Sequence, residues 1–177
     1  MIGGTGPAGF LCRASIPDRW IRIHSLPESK RYPEDESERT EIVRRHLIVA
    51  DDAIGTANCI LFATRFGPSK NPDRVVLPGL DSSLFSHLDA LTIEEEDEGD
   101  SIRFFGAAFR SSPENLRPLI LASAEDATGQ ILIANFDRAT AYAPYDGGAG
   151  VFLPTQSELA AARRNWAQWL SGREDGL

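Results

Sequence analysis

The chain is poor in cysteine, nearly empty of lysine and without a long apolar run. Its two cysteines, Cys12 and Cys59, make neither a disulfide framework nor a metal-ligand spacing. They read as buried or idle thiols of a reducing compartment. No stretch of about 18 apolar residues occurs, so no membrane span is expected. The first residues carry neither a basic region nor an apolar core of signal-peptide length, and a cytoplasmic location is therefore expected. The zinc-protease motif H-E-x-x-H, the nucleophile elbow, the phosphate loop and the zinc-finger pattern are all missing. No cofactor and no metal are expected.

Charge is unevenly spread. The net charge is −8, and six acids between Glu94 and Asp100 supply most of it. The acidity is thus local, and most simply a solvated loop, since like charges repel and stay wet. It argues against general nucleic-acid binding. It leaves a protein partner open.

What remains is an ordinary globular composition, with 42% apolar and 25% charged residues in 177, enough for one domain. Gly4, Gly6 and Gly9 match the G-x-G-x-x-G dinucleotide fingerprint by letter. That motif needs a strand before it and a helix after it, and neither has room here. Residues 1–15 are therefore expected to form a flexible tail, and 16–177 a single domain.

The C-terminal third is the most legible part. Residues 130–136, 140–145 and 150–153 read as short strands. Asp137-Arg138 marks one turn, and Asp146 to Gly150 supplies a glycine-rich reversal. Thr155 and Glu158 have capping-box spacing. Leu159, Ala162, Trp166 and Trp169 or Leu170 then recur on one helical face, with Gly172 placed to end the helix. Upstream, Pro33 and the acids Glu34, Asp35 and Glu36 open a helix whose apolar face is Ile42, His46, Val49 and Ala53. His46 reads as a core histidine. Strands are expected near 20–23, 59–66, 102–109 and 118–124, with Pro118 limiting a helix that starts at Ser112-Pro113 to about one turn. One or two helical turns are expected around Leu84, Leu88 and Leu91. The expected fold is α+β: an antiparallel β-meander sheet packed by two main helices, about 34–54 and 156–170. Connections this short require antiparallel pairing.

Two segments, RIHSLPESKRY (22–32) and PYDGGAGVFLP…WAQWLSGREDGL (144–177), resemble an uncharacterised bacterial family, one of the domains of unknown function. The resemblance implies architecture and no activity. In that family an Asp-Val pair often follows the glycine turn, where this chain has Gly150-Val151.

The candidate functional residues come from the same two segments: Arg22, His24, Ser25, Lys30, Arg31 and Tyr32 from one, Tyr145 and Asp146 from the other. Arginine and lysine can clamp an anion, a histidine can serve as acid or base near neutral pH, and Asp146 can orient it. A purely structural reading pairs Arg31 or Lys30 with Asp146 to pin the hairpin. Two functional classes follow. One is a small cytoplasmic interaction protein, such as an immunity or inhibitor protein covering a toxin. The other is a small hydrolase or phosphoester-acting enzyme using the 22–32 cluster with Asp146.

Overall fold

A computed structural model describes residues 6–68, 74–94 and 100–171. The chain is α+β. Among these residues, eight strands form a single sheet in which every pairing is antiparallel. The strands are β1 (Trp20–His24), β2 (Asn58–Pro68), β3 (Ser86–His87), β4 (Ile93–Glu94), β5 (Asp100–Arg110), β6 (Ile131–Asn135), β7 (Thr140–Tyr145) and β8 (Gly148–Phe152). Their spatial order is β1-β8-β7-β6-β2-β5-β3, with β4 also on β5. The expected meander is β6-β7-β8. Strands β2 and β5 extend it on one side through their long shared register, and β1 closes the other.

Helices α2 (Glu36–Ala53), α3 (Pro113–Ala124) and α4 (Gln156–Asn165) cover one face of the sheet. Ile42, Val49, Leu119, Ile120, Leu159 and Trp166 meet Ile21, Ile23, Leu61, Ile133 and Val151 there in the main core. Asp35 caps α2 by accepting from Glu38 N at 2.9 Å. Thr155 does the same for α4, accepting from Glu158 N at 3.2 Å. Each side chain satisfies a helix-end donor that would otherwise be orphaned. α4 ends at Asn165, and a 3-10 turn, Ala167–Trp169, follows. Gly172 and most of the acidic run (95–99) lie outside the described residues. No described helix is long and apolar enough to cross a membrane.

Two expectations need correction. Residues 118–124 are the second half of α3 and not a strand. Pro118 removes one backbone hydrogen bond, a cost of about 3 kcal/mol. Burying Leu116, Leu119 and Ile120 at roughly 1.5–3 kcal/mol each outweighs it. Second, the supposed tail is structured from residue 6 onward. Gly9–Ser15 forms a short helix, α1, whose Cys12 packs on Leu132, Ala134, Ala141 and Phe152. It covers part of the sheet's other face, and that burial is what orders it. Residues 1–5 lie outside the described residues. The segment around Leu84, Leu88 and Leu91 holds the expected two helical turns, both 3-10 and flanking β3, with Leu84 and Leu91 exposed.

Trp166 and Trp169 are both buried, so the α4 segment anchors the core. Trp166 also donates from Nε1 to Asp52 Oδ2 at 2.8 Å. Trp166→Ala is expected to cost about 3–5 kcal/mol, measurable by chemical denaturation. An unchanged unfolding midpoint would show instead that α4 is peripheral.

Candidate functional site

The β7–β8 hairpin turns over Asp146 and Gly147, with Tyr145 paired to Gly148. The reversal is tighter than the span 146–150. Gly147 has φ +94°, a backbone region that costs glycine little and other residues more. Because β1 pairs with β8 in the register His24 to Gly148, the chain leaving β1 arrives at this turn. Ser25 N donates to Gly147 O at 2.9 Å. Arg31 Nε contacts Asp146 Oδ2 directly, and Tyr32 OH donates to the same oxygen at 2.9 Å. The Asp146 carboxylate is 12% exposed, whereas the Arg31 side chain is 63% exposed. The aspartate is therefore the inner partner. Its charge raises the pKa values of both Arg31 and Tyr32, chiefly through these hydrogen bonds. Lys30 turns the other way: Nζ lies 2.7 and 2.8 Å from the Glu38 carboxylate oxygens and 3.2 Å from Glu34. It ties the loop to the start of α2.

Ser25 and His24 part company. Ser25 is fully buried, and its Oγ lies 2.8 Å from Nε2 of His46. His46 Nδ1 lies 2.6 Å from Tyr142 OH. These three side chains form a closed polar chain between sheet and α2, with His46 and Tyr142 also sealed from solvent. The geometry resembles a nucleophile held by a base, but no substrate carbonyl could reach it. Sequence reasoning had His46 as a core residue and missed its partners. The missed signal was that a histidine on an apolar helical face requires two buried polar neighbours. His24 is 6% exposed, with Nε2 3.4 Å from Ser29 Oγ. Burial, then Arg22 and Arg45, lowers its pKa.

Arg22 and Tyr145 lie on the opposite face of the sheet from this chain. The Arg22 guanidinium sits 5.5 Å from the Tyr145 ring centroid, and its Nε is buried without a hydrogen-bond partner. Burial raises the Tyr145 pKa, with Arg22 opposing. Here the glycines of PYDGGAG have a second use. A Cβ at 148 would lie 2.2 Å from Ile23 O and 2.8 Å from Tyr145 Oη, and one at 150 would lie 2.9 Å from Trp20 Nε1. Gly148 and Gly150 thus clear space for both rings. The eight candidates therefore fall into separate groups: Arg31, Tyr32 and Asp146 at the hairpin tip; Ser25 inside; Arg22 and Tyr145 on the far face; Lys30 against the start of α2 through Glu38; and His24 between.

Two expected outcomes test this geometry. Single and double substitutions at Arg31 and Asp146 should shift the melting temperature non-additively, because the two side chains touch. Additive shifts would contradict the contact. The second concerns pH. Burial pushes the His46 pKa from 6.5 down to about 3. Below about pH 6.5 the unfolded chain binds a proton that the folded chain refuses, so stability falls as pH drops from there towards 3. On the order of 3 kcal/mol should be lost through this group between about pH 7 and pH 4. Stability measured against pH should be flatter in His46→Gln than in the native protein; equal slopes would show that His46 does not carry the dependence.

Comparison with curated proteins and with solved structures gave no match. A family model spans residues 9–174, from α1 past the 3-10 turn that holds Trp169, and so takes in both segments that meet at the hairpin. The chain belongs to the family described as Domain of unknown function (DUF3885).

Proposed function

We propose that this protein works by binding another protein. The observation that carries the reading is the asymmetry of the sheet. Among the described residues three helices cover one face, whereas the other bears a single short helix, the seven-residue α1, and side chains such as Leu88 and Ile93 from the β3–β4 segment. On that second side Phe136 is 62% exposed and Phe66 56% exposed. Beside α1 runs a cavity of about 470 Å³ lined by Ile16, Phe136, Ala141, Phe152, Leu153 and Pro154 together with the polar Arg19, Asn135 and Thr140. An exposed aromatic side chain such as Phe136 beside a largely apolar groove is what a partner's side chains bury against. The net charge of −8 favours a basic partner and speeds its approach. A cytoplasmic immunity or inhibitor protein that covers a basic toxin fits this chemistry.

The hydrolase alternative draws less support from the site. Ser25 is sealed against His46, and the Asp146 carboxylate is occupied by Arg31 and Tyr32.

Phe136→Asp separates binding from folding. Phe136 lies in an exposed turn, so the change should alter stability by no more than about 0.5 kcal/mol. Capture from the native host with the wild-type chain should yield a basic protein. When that protein is purified, its affinity should fall at least about tenfold for Phe136→Asp and should weaken with salt. An affinity unaffected by both changes would refute the proposal.

A further inference from the structure

We propose that the pocket between α1 and the β1–β8–β7 corner of the sheet binds a small phosphate monoester. It stands apart from the protein-binding reading, because it uses different residues. The pocket has a volume of about 240 Å³, and Arg13, Trp20, Arg22, Gln130 and Tyr145 line it together with the small residues Gly9, Ala143 and Gly150. That is below the roughly 300–1,000 Å³ of drug-sized sites, a size that suits a phosphate headgroup.

The charge pattern identifies the ligand. Two guanidiniums line this pocket and no carboxylate does. Arg13 and Arg22 share this pocket with no carboxylate within ion-pair distance of either among the described residues. Two like charges gathered in one partly desolvated pocket repel, and a bound anion relieves that repulsion. Arg22 makes the point sharply, since its Nε is buried with no partner.

The rings beneath the arginines define the geometry. Arg13 stands 4.5 Å over Trp20, and Arg22 stands 5.5 Å over Tyr145. A ring beneath a guanidinium stabilises its charge, and although Arg22 also hydrogen-bonds the Tyr145 hydroxyl, a guanidinium's five N–H donors leave others for an oxyanion. The rings can lie there because β8 presents Gly148 and Gly150 on this face, and a side chain at either position would displace them. Gly150 thus forms part of the pocket floor, and Gly148 beside it keeps the Tyr145 hydroxyl in place. Two guanidiniums balance the dianion of a phosphate monoester and can meet its oxygens in pairs. A carboxylate, with a single charge, would leave one guanidinium uncompensated. Tyr145 Oη and the Gln130 amide add neutral donors on the pocket wall.

Binding of inorganic phosphate and of phenyl phosphate, followed by ³¹P NMR and calorimetry at low ionic strength, tests the site. The native protein should bind both saturably and bind acetate more weakly. Arg22→Gln and Arg13→Gln should each weaken phosphate binding at least about tenfold. Arg163→Gln, an exposed arginine on α4, should not change it. If circular dichroism shows that Arg22→Gln is unfolded, Arg13→Gln decides, since Arg13 lies on the peripheral helix α1. Absence of saturable binding, equal affinity for acetate, or affinity unchanged by Arg13→Gln would each overturn the proposal.

Discussion

Strand β8 has a partner on each side and is buried along all five of its residues, and the rest of the structure depends on that position. Its antiparallel register with β1 joins residues 20–24 to residues 148–152, near opposite ends of the chain. Its alternation then sorts the two faces. Ala149 and Val151 point into the main core under the helices, while Gly148 and Gly150 leave room on the other face for Tyr145 and Trp20. A slip of one residue would turn Ala149 and Val151 towards those rings and the glycines towards the core, so both sides specify the same register.

The helix face is held by polar contacts as well as by apolar area. Helix α2 meets the sheet through the Ser25–His46–Tyr142 chain. At its C-terminal end Thr140 Oγ1 donates to Ala53 O at 2.9 Å and Asn135 Nδ2 donates to Ile54 O at 2.8 Å. These side chains from β6 and β7 satisfy carbonyls that a helix end leaves without intrahelical partners. Each such bond contributes about 1 kcal/mol net, but stranding one buried partner costs about 1–3 kcal/mol. The contacts therefore select one docking position for α2 more than they add stability. They also explain why Tyr142, the large side chain of β7, is fully buried with its hydroxyl inside the core.

The strands of residues 131–152 and helices α2 and α4 were legible because periodicity, capping residues and turn chemistry agreed there. Helix α3 was not. Its stretch Leu119–Ala124 is apolar on nearly every side, so neither a period of 2 nor one of 3.6 stands out, and Pro118 argued for a break. Helix α1 was hidden by the glycine- and proline-rich composition before it; what orders it is contact with strands more than a hundred residues away. At the candidate site, the meeting of Arg31 with Asp146 could be read from opposite charges in the two segments that carry the resemblance. The pairing of Ser25 with His46 could not, because the two lie 21 residues apart on different elements and no local pattern links a loop serine to a histidine on an apolar helical face. Arg22 and Tyr145 were chosen for their chemistry, but which face they occupy depends on the β1–β8 register, and no local pattern states it.

That register also explains why one arginine of the segment is paired and the other is not. Asp146 lies close enough for its charge to act on Tyr145, the residue under Arg22. Its carboxylate nevertheless belongs to Arg31 and Tyr32. Both reach it from the 27–33 loop, which Lys30 ties to the start of α2 through Glu38 and which Ser25 ties to the turn through Gly147 O. With its carboxylate engaged by Arg31 and Tyr32, Asp146 makes no ion pair with Arg22 among the described residues. The ion pair at the tip and the uncompensated guanidinium beneath it are thus two consequences of one arrangement. The loop that secures the hairpin also withholds a counter-charge from the pocket on the far face of the sheet.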